Sequence, residues 1–440
     1  MIPSGNRDTS PKIATLTQEQ IRVKILKDKH LTLALPSRRT VAWSPVRILI
    51  DYRPALRERT GVGEYVHQLA RALAEQRIDR SVDRRAGDRR AGANADDVEV
   101  FTSSWKDRPS PEAMAELGPS VRVVDRRVPV RYLNAAWHRL GWPPVEWLTL
   151  HGYDVVHSPN PLLVPSRGAA QVVTIHDLDF LLNPERTRAE MRHAYPALVR
   201  RHSALADGII VVSAQVGEQV CSLLHVEPER VSVCPHGVPR WVATGPIVPG
   251  NPKGRYILFL GTLEPRKNVD GLLEAYAALV VRRPDSPPLM LAGGSVPGAE
   301  AWRERIASPP LAGRVEYRGY VQDADRQAVY AGARLLVLPS FNEGFGMPVA
   351  EAMSLGVPVV ASNCGSLPEV SGGAAVLVEP EDIVGISHAM ERVLFDTALA
   401  RRLAEEGLRQ AKRFTWTRAA ELTRAAYERA IETRRQRVGS

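Results

Sequence analysis

Cysteine is scarce in this chain. Its 440 residues include three cysteines, Cys221, Cys234 and Cys364, and their positions show no paired spacing of the kind that metal ligands have. This argues against a disulfide framework and a structural zinc site, and it favours a reduced, cytoplasmic setting. No base is paired with Cys364 in the sequence, so packing is favoured over nucleophilic chemistry for that thiol.

Long apolar runs are also absent. No run approaches the ~20 residues needed to span a bilayer, and the N-terminal segment MIPSGNRDTSPK lacks the apolar core of a signal peptide. The composition, 44% apolar and 24% charged, is that of an ordinary globular protein. The length suffices for two domains of about 150 residues each.

The net charge of +9 is unevenly distributed. Residues 1–45 contribute +5 and residues 77–90 contribute +3, which leaves the remainder nearly neutral. A nucleic-acid-binding surface would interleave aromatic residues with the basic ones, but these two segments contain a single aromatic residue, Trp43. Two interpretations remain, namely a solvated tail and loop, or attraction to an anionic membrane surface.

Apolar strand patterns alternate with helical patterns from residue 46 to residue 416, which predicts parallel sheets covered on both faces. We expect an N-terminal extension (1–45), a first Rossmann-like domain (46–245) with an insertion near 77–97, and a second one (246–416). The last helix (417–440) is expected to cross back to the first domain. The Pro- and Gly-rich stretch 241–254 is the expected linker.

The first β–α unit carries glycines. The apolar segment 46–54 is followed by TGVGEYVHQLARALAE (60–75), an amphipathic helix pattern with Gly61 and Gly63 at its start. This G-x-G pattern alone is weak and does not indicate a dinucleotide.

Two glutamates form the most informative pattern, in FNEGFGMPVAEAMSLGVPVVAS (341–362). Glu343 is predicted in a strand-to-helix loop and Glu351 one turn into the helix, which has a proline at its start and Gly356 just past its end. Glycines between them expose backbone N–H groups where an anion is favoured. Two acceptors around a phosphate-binding loop suit a nucleotide sugar.

This segment closely resembles the donor site of the retaining glycosyltransferases of family 4. The resemblance covers roughly residues 46–435 and implies an α/β fold of the GT-B type, two Rossmann-like domains facing across a cleft. It implies that Glu343 contacts the transferred sugar and that Glu351 binds the ribose hydroxyls. It also implies further donor contacts, at Gly61, Gly63, Gly261, Val321, Gly344, Phe345 and Gly346.

Three other residues complete the expected catalytic set. Arg266 and Lys267 stand at a predicted helix start, where cations oppose the helix dipole unless an anion is bound. In the resembled family the matching pair stabilises the departing diphosphate. His176 ends a buried strand at the family's histidine position, near the transferred sugar. The neighbouring Asp177 could serve the site or cap the next element.

The resemblance implies a retaining hexosyltransferase. GDP-mannose is the first candidate donor and a UDP-hexose the second, with a glycan or lipid-linked glycan as the acceptor. No metal or other cofactor is expected, because a cationic pair can perform the electrostatic work of a metal ion. The alternatives are a hydrolase or epimerase of nucleotide sugars and a non-catalytic scaffold. We expect a cytoplasmic protein, and the basic excess allows peripheral contact with the membrane.

Overall fold

The computed structural model describes residues 45–56, 59, 61–82, 96–184, 194–241, 254–296 and 299–439, without the side chains of 77–82. The predicted extension, almost all of the predicted linker and residues 83–95 of the predicted insertion lie outside the described residues. The charge-based interpretations of residues 1–45 therefore stay predictions.

The first sheet has seven parallel strands in the order β3-β2-β1-β4-β5-β6-β7. Its strands are β1 (Arg47–Asp51), β2 (Asp97–Ser103), β3 (Val121–Arg126), β4 (Val155–Ser158), β5 (Ala170–Ile175), β6 (Gly208–Val211) and β7 (Val231–Val233). The associated α-helices are Val62–Val82, Pro111–Leu117, Val130–Ala135, Glu146–Thr149, Asp179–Leu182, Ala194–Leu205 and Ala214–Leu224. Shorter helical turns are Arg53–Ala55, Ala136–Leu140 and Pro228–Arg230.

The helix Val62–Val82 illustrates how apolar periodicity and a glycine place a helix against the first sheet. Tyr65, Val66, Leu69 and Leu73 recur at helical spacing and are all buried against the sheet. Gly63 permits close packing, because a β-carbon there would lie 2.8 Å from the carbonyl oxygen of Pro54. The glycine-rich start of the helix is thereby held against the loop that follows β1.

The second sheet has six parallel strands in the order β10-β9-β8-β11-β12-β13. Its strands are β8 (Tyr256–Leu260), β9 (Leu289–Ala292), β10 (Val315–Gly319), β11 (Ala333–Leu338), β12 (Val359–Ser362) and β13 (Val376–Val378). Its helices are the 3₁₀ turn Pro265–Lys267 and the α-helices Val269–Arg282, Glu300–Ile306, Asp323–Ala331, Met347–Ser354, Leu367–Ser371, Ile383–Phe395 and Thr397–Ala411. Its core is nearly continuous aliphatic packing, as expected for strands buried on both faces.

The final helix, Trp416–Gly439, lies on the first sheet although it follows the second in sequence. A β-carbon on Gly208 would contact the Ala430 β-carbon at 3.0 Å, so the helix and strand β6 are in close contact. The Tyr427 hydroxyl lies 2.7 Å from His157 Nδ1 on β4. This helix therefore packs the end of the chain onto the core of the first lobe. Here the first lobe is the part of the structure built on the first sheet, and the second lobe is the part built on the second sheet.

The two-sheet α/β prediction is confirmed, and the insertion expected near 77–97 overlaps regular elements at both of its ends. The helix that begins at Val62 continues to Val82, and Asp97 already belongs to β2. The sequence suggested an earlier end because RIDRSV has little apolar periodicity. Backbone hydrogen bonding extends a helix beyond its apolar face when neighbouring turns are already formed.

Candidate active site

The Glu343 loop connects β11 to the helix Met347–Ser354, as the sequence predicted to within one or two residues. Gly346 precedes the helix with a φ of +86°, a conformation that favours glycine. A β-carbon at Gly346 would also lie 2.5 Å from a methyl group of Leu367. Glycine at this position thus sets both the turn and the packing of the loop.

Glu343 is buried within a cationic cluster. Lys267 Nζ donates to its Oε1 at 2.5 Å and Ser340 Oγ donates to the same oxygen at 2.7 Å. Arg266 lies 3.5 Å from Oε2. Burial alone would raise the pKa of Glu343, but Lys267 and Arg266 outweigh it and hold that pKa below its usual value. The carboxylate is ionised at neutral pH.

Arg266 and Lys267 belong to the turn Pro265–Lys267, and the Asn268 side chain caps the helix Val269–Arg282 that follows. Arg266 also donates to the carbonyl oxygen of Asn342 at 2.8 Å and to Glu264 at 2.7 Å. Burial opposes its charge, yet Glu343 and Glu264 raise the pKa of Arg266 overall. The anion required beside these two cations is supplied in this structure by Glu343.

His176 follows β5, and its backbone carbonyl packs against Gly344, the residue next to Glu343. Its Nε2 lies 3.0 Å from the carbonyl oxygen of Pro159, which can only accept, so Nε2 carries the proton and Nδ1 is left as an acceptor. Burial lowers the pKa of His176, which keeps the ring neutral. The ring packs edge-on against Tyr65 at 4.9 Å between centroids.

The two lobes meet at Gly344. A β-carbon there would stand 1.8 Å from the His176 carbonyl oxygen, and Ser213 Oγ donates to the Gly344 carbonyl at 2.7 Å. Asn342 donates to Asp179 of the first lobe at 3.1 Å. The Glu369 carboxylate accepts from the backbone N–H of Ala214, 3.0 Å away, at the start of the helix Ala214–Leu224. His176, Gly344 and Glu343 are thereby brought together.

Glu351 is fully buried, one turn into its helix. Its carboxylate accepts a hydrogen bond from Arg326 and another from the Tyr330 hydroxyl at 2.7 Å. Burial raises the pKa of Glu351 despite the arginine. Sequence reasoning missed Arg326 and Tyr330. Their spacing of four places both on one face of the helix Asp323–Ala331, but only the tertiary structure pairs that face with Glu351.

The remaining predicted donor residues have different surroundings. Among the residues that the structure describes, none would come within 4 Å of a β-carbon on Gly61, whereas Gly63 packs against the carbonyl oxygen of Pro54. Gly261 lies against the Lys267 side chain at 3.6 Å. Val321 is buried in the second lobe, and the Phe345 ring stacks on His236 at 5.0 Å between centroids.

An aromatic column that the sequence did not predict joins the lobes. His236, just before the link between the lobes, stacks on Phe345 on one side and on Tyr65 on the other. Burial holds the pKa of His236 well below its usual value, so the ring is neutral. The position of Phe345 thus depends on residues from both lobes.

The described ranges contain no group of three or more His, Cys, Asp or Glu side chains arranged to hold a metal ion. The same ranges hold no helix that is both long enough and apolar enough to cross a bilayer. The roles assigned to individual site residues stay predictions.

Comparison with known proteins identifies the family. Residues 59–240 match the family model described as Glycosyltransferase Family 4, and residues 254–396 match the one described as Glycosyl transferases group 1. The chain is 33% identical to O-antigen chain mannosyltransferase B of Escherichia coli over 309 residues, which cover 66% of this chain and 79% of that protein. It is 29% identical to the MMP alpha-(1->4)-mannosyltransferase of Mycolicibacterium hassiacum, covering 84% of this chain and 95% of the relative.

Solved structures show the same fold. Sucrose-phosphate synthase from Thermosynechococcus elongatus superposes with a TM-score of 0.63 at 22% identity, covering 88% of this chain and 98% of that one. Anabaena HepE in complex with UDP and glucose superposes with a TM-score of 0.60 at 18% identity, covering 86% and 97%. The GT-B prediction is therefore confirmed, and the chain belongs to the group 1, family 4 glycosyltransferases.

Proposed function

We propose that this glycosyltransferase transfers a hexose from a nucleotide-diphosphate sugar to a glycan or lipid-linked glycan and retains the anomeric configuration. GDP-mannose is the first candidate donor and a UDP-hexose the second. Mannosyltransferases among the relatives support mannose, and the O-antigen chain enzyme supports a glycan acceptor. The complexes of HepE with UDP-glucose support a nucleotide sugar in general.

The observation that carries the proposal is the buried cluster of Lys267, Arg266 and Glu343. In this structure Arg266 and Lys267 form ion pairs with Glu343. A donor diphosphate that binds beside them would be a second anion for the same two cations. As the bond between C1 of the sugar and the diphosphate breaks, negative charge grows on the departing oxygen. Cations fixed in a buried site stabilise that charge strongly without reorganising, so no resident metal or other cofactor is required in this proposal.

Glu343 serves the sugar side of the reaction. Its ionised carboxylate can orient sugar hydroxyls and offset positive charge that develops at the ring. The acceptor oxygen forms its new bond to C1 on the face that the diphosphate leaves, and its proton passes to the departing phosphate oxygen. His176 Nδ1, which is left as an acceptor, would accept a hydrogen bond from a sugar or acceptor hydroxyl in this proposal.

Asp177 is the carboxylate that could support the opposite stereochemistry by acting as a base for back-face attack. Its Oδ1 accepts from the backbone N–H of Asp179 at 3.2 Å, at the start of the helix Asp179–Leu182. This hydrogen bond engages Asp177 in the turn before the helix, whose N-cap residue is Leu178, and it therefore favours a local structural role for Asp177. Front-face attack assisted by the leaving phosphate is then the simpler route.

The test is a donor screen with purified protein, with NMR of the first-formed product. The highest turnover is expected with GDP-mannose, and an α-linked donor is expected to give an α-linkage. Asp177→Asn should keep substantial activity, whereas Glu343→Gln should lose most of it. A β-linkage, or release of free sugar with every acceptor tested, would overturn the proposal. The peripheral membrane contact assigned to the basic residues 1–45 rests on charge alone.

A further inference from the structure

The first lobe exposes an unusual cluster of large apolar side chains. Thirteen large apolar side chains are exposed among the described residues, and five of them lie within the nineteen residues 132–150. These five, with the exposed arginines of residues 127–139 and with Arg167, which lies against the Trp147 ring, are named here the aromatic–arginine surface, which consists of Tyr132, Leu140, Trp142, Trp147, Leu150, Arg127, Arg131, Arg139 and Arg167. A cluster of this kind on a protein surface marks an interaction site.

Contacts organise two parts of this surface, one around Trp147 and the other around Tyr132. The Trp142 and Trp147 rings meet edge to face at 5.7 Å between centroids, and the Arg167 guanidinium lies 5.6 Å from the Trp147 ring. The Arg131 guanidinium lies over the Tyr132 ring at 4.6 Å. Each aromatic ring therefore has an arginine or a second ring beside it while remaining more than half exposed.

Leu150 adds an independent observation. It ends the helix Glu146–Thr149 with a φ of +65°, a conformation that normally selects glycine, and it leaves 79% of its area exposed. A bulky apolar residue is thus held where both its backbone conformation and its exposure are unfavourable in water. Burial of the Leu150 side chain in an apolar environment would remove the cost of its exposure to water.

The charge of the surface selects the kind of partner. Residues 127–152 contain three arginines, all exposed, and a single acid, Glu146. That carboxylate accepts hydrogen bonds from Ser166 and from the Arg167 backbone N–H, so it is engaged within the fold. A glycan-binding surface uses acidic and amide side chains beside its aromatic rings, whereas tryptophan, tyrosine and arginine with exposed leucines are typical of a membrane interface.

We infer that the aromatic–arginine surface docks this enzyme onto an anionic lipid bilayer. The tryptophans and leucines would enter the headgroup and upper acyl region, and the arginines would pair with lipid phosphates, as in proteins that lie on a membrane without spanning it. The inference uses none of the basic residues 1–45 and does not depend on the donor identity proposed above.

The test measures binding of the full chain to vesicles of phosphatidylcholine with and without phosphatidylglycerol. The variant carries Leu140→Ser, Trp147→Ser and Leu150→Gly. The matched control removes three exposed aliphatic side chains elsewhere, with Leu205→Ser, Val281→Ser and Val384→Ser. The variant is expected to lose at least about tenfold in vesicle affinity, and the control is expected to bind as the unmodified chain does.

Two further measurements distinguish docking from misfolding and from acceptor binding. Brominated acyl chains should quench tryptophan fluorescence of the full chain, and Trp142→Phe with Trp147→Phe should remove most of that quenching. Leu150→Gly alone should raise the melting temperature while weakening vesicle binding, a combination that misfolding would not produce. Equal affinity of variant and control, or no quenching, would overturn the inference. Unchanged vesicle binding with a raised KM for a soluble glycan acceptor would assign the surface to the acceptor instead.

Discussion

A β-carbon on residue 344 would stand 1.8 Å from the carbonyl oxygen of His176. The glycine is therefore required by the approach of the two lobes, in addition to any contact with the donor. We expect Gly344→Ala to hold the lobes apart and reduce kcat by at least about a hundredfold, while nucleotide binding to the second lobe falls far less. Kinetics and calorimetric titration with nucleoside diphosphate would measure the two effects.

A suitable control for that substitution is Gly168→Ala, since a β-carbon there meets no atom of the described residues within 4 Å. Its activity should be unchanged. A fully active Gly344→Ala enzyme would show that the contact with His176 is not part of the working geometry.

Lys267 and Glu343, whose charged atoms are 2.5 Å apart, are expected to act as a coupled pair. Lys267→Ala should reduce kcat about a hundredfold, equivalent to roughly 3 kcal/mol, and should destabilise the fold because Arg266 is then the cation that remains beside the buried carboxylate. Adding Glu343→Gln should recover part of the stability without restoring activity. Thermal unfolding and kinetics of both single variants and the double variant measure this coupling. Strictly additive losses would contradict it.

Arg326 is expected to position Glu351 for the ribose hydroxyls of the donor. Arg326→Ala removes a charge-assisted hydrogen bond from a fully buried carboxylate, so the KM for the donor should rise, about tenfold or more, with a smaller effect on kcat. Tyr330→Phe, which removes the other hydrogen bond, should have a milder effect of the same kind. Steady-state kinetics with varied donor separates KM from kcat. A loss confined to kcat would argue against this role.

His157 should make stability depend on pH. Burial lowers its pKa to about 3, and its neighbour His176 acts in the same direction. The unfolded chain, with a pKa of 6.5 for this group, binds its proton first, so stability falls as pH decreases through 6.5. This residue alone should remove about 2 kcal/mol between pH 7 and pH 5.

Denaturant unfolding at pH 7, 6 and 5 would measure that loss. His157→Gln should flatten the dependence, because glutamine can still hydrogen-bond to Tyr427 and Thr174 but does not titrate. The exposed His388→Gln serves as the control and should leave the slope unchanged. An unaltered slope in His157→Gln would assign the pH dependence to other histidines.

Transfer is expected to persist in excess chelator. The reason is the pair Arg266 and Lys267, whose side chains are largely buried beside Glu343 and can supply the positive charge that the departing diphosphate requires. Rates with EDTA, and after adding back Mg²⁺ or Mn²⁺, would be compared with untreated enzyme. Loss of transfer on chelation and recovery with either ion would refute this electrostatic account.

The sequence by itself determined the local framework of the site. Alternating strand and helix patterns predicted two α/β lobes, and the Glu343–Glu351 segment predicted a strand, a glycine turn and a helix at nearly the observed positions. These features follow from short-range physics, namely the conformational freedom of glycine, the fixed φ of proline and the periodicity of apolar residues. Local rules also placed Arg266 and Lys267 beside a helix start.

Only the tertiary structure decided which groups face each other. No local pattern indicates that Glu351 pairs with Arg326, that His236 stacks between Phe345 and Tyr65, or that Gly344 packs on His176. These partners are brought together by the packing of whole elements, and many pairings of such elements are compatible with the same apolar periodicity. The packing of whole elements also determines which buried charges pair with each other, because each charge needs a partner that only the folded chain supplies.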